Sequence, residues 1–214
     1  MSNKKPTWRG NSTVNKSSNV AKPVEPKTVR IGFSIRENKI TWFLGTVVAI
    51  VLLAAIQFAT PYLDSQIITG AMIDAVLILT VMTIGLPSGC IVALVSPIFA
   101  KLLGAIVFWQ IVPFVMIANV IFVAIWFFEG NFMKAKMMTR FIVAAVVAAI
   151  VKFIILHLSI GKYAVPTLLK LSKTQSEAIT NTFSLPQLLM ALVGGVIACI
   201  LIPILRDAMR NLNR

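Results

Sequence analysis

Asp74, Lys101 and Lys152 are ionisable side chains set inside long apolar stretches of the chain. A charge at membrane depth costs at least ~2.5 kcal/mol on insertion scales, so such a residue is kept for a partner or a task. Three at similar depth point to one polar pocket open to one side. Lys152 stands in Ile150-Val151-Lys152-Phe153-Ile154, with no polar neighbour in sequence. It reads as a fixed cation for an acidic group on a solute, as the ion-pair partner of Asp74, or as a chain snorkelling to headgroups. Asp74 reads as a contact for a cationic part of a solute or as the neutraliser of Lys101 or Lys152. Lys101, closer to the end of its stretch, reads as a snorkelling residue. Asn119, in Ile117-Ala118-Asn119-Val120, can hydrogen-bond across helices or to a solute. Gln110 and Gln187 open two further apolar stretches, and His157 is the only histidine. As the cation of the set, Lys152 favours an acidic solute over a cationic one.

Other chemistries find no residues to carry them. His157 has no His, Cys or Glu at ligand spacing, so no metal site is expected. Gly161-Lys162-Tyr163 lacks the upstream glycine loop of a nucleotide-binding chain. No nucleophile elbow, zinc-protease helix or paired-acid pattern occurs, which argues against an enzyme. No cofactor is expected. Cys90 and Cys199 each lie in an apolar stretch and read as small core residues.

The elements that must position these residues follow from hydropathy. The chain has 214 residues, of which 58% are hydrophobic and 13% charged, and its mean hydropathy is +0.89. Soluble domains run to about 25% charged, so a polytopic membrane protein is the reading. A crossing helix needs about 20 apolar residues. Six stretches qualify, at about 40–60, 66–86, 89–107, 110–128, 138–159 and 185–205, and in lipid they must be helical. The expected fold is all-α: a six-helix membrane domain over 39–208, with a disordered basic tail at 1–38 and a short basic tail at 209–214.

The net charge of +13 does not require nucleic acid, because its distribution follows membrane topology. Residues 1–39 carry nine Lys and Arg. Lys134, Lys136 and Arg140 lie in one short loop, and Arg206, Arg210 and Arg214 close the chain. With six spans all three groups share one side, which the positive-inside rule makes cytoplasmic, together with both termini. Counted from the opposite, outer side, Asp74 lies ~12 Å deep, Lys101 ~9 Å and Lys152 ~10 Å. Small residues recur at four-residue spacing, as in Gly45/Ala49, Ala144/Ala148 and Ala191/Gly195. Such stripes let helices approach closely, within the bundle or against another subunit.

The run Gly85-Leu-Pro-Ser-Gly-Cys-Ile-Val-Ala, then Pro113-Phe-Val-Met-Ile-Ala-Asn119, Val151-Lys152-Phe153 and Phe183-Ser-Leu-Pro-Gln187 through Gly194-Gly195, resembles the substrate-binding (S) components of energy-coupling factor vitamin transporters. The branch resembled includes riboflavin-type members. The resemblance covers all six stretches. It implies a six-helix bundle in a prokaryotic plasma membrane that captures a vitamin-like micronutrient at its extracellular face. It also implies partnership with a transmembrane T component and two ATPase subunits. Within the matched motifs, Asn119, Lys152 and Gln187 are the residues carried over as solute contacts, with Asp74, His157 and Gln110 beside them. The family often shows an Ala-x-x-x-Ala pair facing the T component, whose best-placed counterpart here is Gly45-x-x-x-Ala49. An energy-independent permease for a small solute is the alternative.

Overall fold

A computed structural model describes residues 39–63, 65–169 and 171–212. The expected disordered tail at 1–38 lies outside the described residues. Every regular element among those described is helical: α1 (Lys39–Leu63), α2 (Gln66–Thr83), α3 (Leu86–Leu102), α4 (Val112–Phe132), α5 (Met137–Leu156), α6 (Lys173–Thr182) and α7 (Leu185–Leu212). A short 3-10 turn, Trp109–Ile111, leads into α4, and a π-wound stretch, His157–Leu169, continues α5. Five stretches are long and apolar enough to cross a membrane, and α3 is apolar but shorter, at 17 residues. The protein is a multi-pass membrane protein by that measure.

Three expected boundaries move. The third apolar stretch ends as a helix at Leu102 rather than near Val107. Gly104 adopts φ +83, a left-handed backbone that favours glycine, and the chain turns there although Leu-Leu-Gly-Ala-Ile-Val is apolar throughout. The long connection expected over 160–184 is also largely helical. The π-wound stretch and α6 fill it, with the Ser172 hydroxyl accepting from the Gln175 amide to cap α6. At the other end of the chain, α7 continues past 208 to Leu212.

Short connections make α1 to α5 successively antiparallel, and the hydrogen bond between His157 and Ser184 brings the end of α5 to the start of α7. The C-terminal ends of α1, α3 and α5 therefore meet the N-terminal ends of α2, α4 and α7 at one end of the bundle, called the open end below. The closest packing is α2 on α7, then α4 on α5, α3 on α4 and α5 on α7. Small residues set those approaches. Ala144, Ala148, Ala191 and Ala198 are all fully buried, and a Cβ on Gly194 would lie 2.7 Å from the Ala71 carbonyl oxygen and 3.1 Å from the Ala75 nitrogen. Helices α2 and α7 can come this close only because Gly194 has no side chain.

Away from the open end the axis is filled by a dry core of Leu77, Val81, Phe122, Trp126 and Phe141. A second apolar cluster, including Ile106, Ile111, Leu156 and Ile160, surrounds the open end. Outward faces are apolar as well. Helix α1 exposes Phe43, Val47, Val51 and Phe58, as expected of a helix solvated by lipid rather than water.

Candidate functional site: a polar cavity at the open end

Six polar residues of the spans converge on one cavity. It encloses about 120 Å³ and is lined by Gln57, Asp74, Ser96, Asn119, Lys152 and Gln187 among others. Each comes from a different helix, α1 through α5 and α7. Thr60, Gln66, Ala105, Ile106 and Phe183 border this cavity and also an outer one of about 380 Å³, so the two adjoin. The outer cavity reaches Phe108, Ile111 and the end of α6 at Ile179 and Thr182. The polar floor is thus approached through an apolar vestibule.

At the centre of the floor, Lys152 Nζ donates to Asp74 Oδ1 at 2.5 Å, with both side chains 3–4% exposed. The ammonium also lies 4.8 Å from the centroid of the Phe122 ring, so a second face meets a π cloud. Of the alternatives for these two residues, the structure makes them partners. Contact with a solute is compatible with that pairing, because both line the cavity.

Gln57 is a residue that the sequence reading missed. Its Nε2 donates to the Ser96 carbonyl at 3.0 Å and to the Ser96 hydroxyl at 3.2 Å, tying α1 to α3 beside the cavity. The available signal was its place in Ile56-Gln57-Phe58, a polar side chain inside an apolar span near its outer end. A buried amide in lipid needs partners, whether or not it is charged.

Three buried oxygens at the cavity have no hydrogen-bond partner among the described residues: Gln57 Oε1, Asp74 Oδ2 and Asn119 Oδ1. Leaving a buried polar atom unpaired costs about 1–3 kcal/mol. Three at one cavity is a concentration that a purely structural role does not call for.

The remaining candidates stand elsewhere. His157 is hydrogen-bonded through Nδ1 to the Ser184 hydroxyl at 2.8 Å and stacks on Phe153. It fastens the π-wound stretch to the start of α7 and lines neither cavity. Gln110 is exposed in the 3-10 turn and lines neither cavity. Lys101 donates to the Val107 carbonyl at 2.7 Å and lies 5.7 Å from the Trp109 ring centroid, bracing the 103–108 turn outside the polar floor. Gly45 and Ala49 point into the bundle: Ala49 belongs to the core, and a Cβ on Gly45 would meet Ile84 at 3.1 Å. That pair serves internal packing, and the outward face of α1 is built from the larger residues on either side of it. Among the described residues, no group of three His, Cys, Asp or Glu side chains is placed to hold a metal.

No protein-family model, no curated protein and no solved structure matches this chain.

Proposed function

We propose that this chain is the solute-capturing membrane subunit of an importer of the energy-coupling factor type, holding a small water-soluble micronutrient in the open-end cavity. The observation that carries the reading is the convergence of Asp74, Asn119, Lys152 and Gln187 from four separate helices on one cavity beneath an apolar vestibule. Three of those residues lie in the motifs that resemble the S components. Polar groups gathered in a membrane bundle without a catalytic set are suited to binding.

The dry core beyond the cavity bears on mechanism. Phe122, Trp126 and Phe141 close the axis, so this conformation offers a bound solute no straight path across the bundle. Delivery then requires the bundle to reorient bodily or to repack, a step that a partner with an energy source can drive. An S component receives both from its T component and ATPases. In this reading six helices cross the membrane, the basic loop 133–136 and both termini face the cytoplasm, and the cavity opens outward.

Affinity purification of the tagged full chain from its own membranes in mild detergent tests the assignment. Recovery of a polytopic T-type protein with two nucleotide-binding ATPases is expected. Recovery of the chain alone, together with solute uptake by vesicles containing only this chain, would replace the importer by an energy-independent permease.

A further inference from the structure

The two adjoining chambers differ in chemistry, and the order of polarity is the reverse of a water-lined funnel. The deeper chamber carries the polar side chains of the floor, whereas the outer one is mostly apolar. Seven of its ten described lining residues are apolar, with Ile106 and Ile111 buried and Phe108 and Phe183 supplying rings. Of the other three, Thr60 and Thr182 turn their hydroxyl donors to carbonyls of their own helices, at Ile56 and Ala178.

This apolar wall is built by the local backbone. Past Leu102 the chain leaves the helix, yet the Ala105 and Ile106 amides both donate to the Ala100 carbonyl, at 2.8 and 3.1 Å. Lys101 Nζ donates to the Val107 carbonyl at 2.7 Å. With those backbone groups satisfied, the side chains of 105–108 are free to form the surface of the chamber. Size separates the chambers as well. A cavity of about 150 Å³ holds a benzene ring, so the floor, at about 120 Å³, admits one small group. The vestibule, at about 380 Å³, falls within the roughly 300–1,000 Å³ of ligand pockets.

We infer that the two chambers hold one amphiphilic solute, its small hydrogen-bonding head on the polar floor and its larger apolar body, aromatic or aliphatic, in the vestibule. This rests on reading the floor as a solute site and adds the shape of the solute. Ala105, Ile106 and Phe183 border both chambers and meet the junction between head and body. A solute polar throughout would leave its outer part against Ile106, Phe108 and Phe183, losing water without gaining partners. An apolar body in the same place gains by its burial.

Three probes separate head from body: benzamide has the head on a bare ring, 4-butylbenzamide adds an apolar body, and butylbenzene lacks the head. Binding to the full chain in nanodiscs is read by equilibrium dialysis, with empty nanodiscs of the same lipid subtracted. 4-Butylbenzamide should bind at least about tenfold more tightly than either other probe, a fraction of what four buried carbons can contribute. Ala105 is exposed, so Ala105→Trp fills the passage without entering the core, and Thr182→Trp obstructs the opposite wall. Either variant that melts like the parent should lose most of the advantage over benzamide. Equal or tighter binding of benzamide would overturn the apolar body while leaving a polar solute site in place. Butylbenzene binding as tightly as 4-butylbenzamide would show a site for bare hydrocarbon and overturn the inference too, as would an advantage undiminished in both folded variants. No binding above empty nanodiscs by any probe would overturn the inference and the solute site together. The wild-type series decides the matter should neither variant fold.

Discussion

Lys152 on α5 and Asp74 on α2 are joined at 2.5 Å across the bundle, although α5 packs mainly on α4 and α7, and α2 mainly on α7. The ion pair therefore holds two helices in register through the floor of the cavity. Removing one partner strands the other in a buried site. Lys152→Met alone should cost about 3–5 kcal/mol, whereas Lys152→Met with Asp74→Leu should regain most of that loss. Denaturation of the purified variants in detergent checks this. A single variant as stable as the parent would show that the pair contributes no structural tie, and the folded double variant is the one in which solute binding should be compared.

Gly194 sits against α2 beside Asp74, with backbone atoms where a methyl would go. Backbone cannot move aside as a flexible side chain can. Gly194→Ala should therefore push α7 off α2 and destabilise by about 1–3 kcal/mol, the usual range for overfilling a packed contact. At Gly70 the obstructing atoms belong to the Met190 side chain, which can swing away, so Gly70→Ala should cost less. Thermal unfolding of the two variants side by side gives the order.

Hydropathy made most of the spans legible, because a helix in lipid announces itself by length and apolarity. The depth count likewise brought Asp74 and Lys152 to one level, and the structure makes them partners. What was hidden depended on contacts distant in sequence or on local backbone. Leu102 to Val107 is apolar enough to read as helix, yet Gly104 turns the chain. Helix α6 is too polar to register as a span, and its Ser172 cap was the only local sign. Gln57 carries no charge, so it drew no attention, although its burial demanded a partner. Gly45 and Ala49 have the spacing of an interface, and only the packing shows which side they face.

The latch between His157 and Ser184 should behave as a coupled pair. His157→Ala and Ser184→Ala should each cost about 1 kcal/mol, and the double variant little more than either single one. A double-mutant cycle on unfolding free energies measures this. Fully additive losses would mean that the hydrogen bond contributes nothing to fastening the π-wound stretch.

Orientation is open to a direct check. In a background with Cys90 and Cys199 replaced by serine, Thr60→Cys at the vestibule should react with a membrane-impermeant thiol reagent added to intact cells. Ala135→Cys, in the basic loop between α4 and α5, should react only after permeabilisation. The opposite pattern would invert the proposed topology.

The central claim is that the open-end cavity holds a small solute, and native mass spectrometry of the full chain released from detergent tests it most directly. The account predicts a population heavier than the bare chain by one small molecule. That adduct should be lost in Asn119→Leu, while the variant melts no lower than the parent, since an unpaired buried acceptor has been removed. A chain that carries no adduct when prepared from solute-replete cells, or an adduct that persists unchanged in Asn119→Leu, would contradict it.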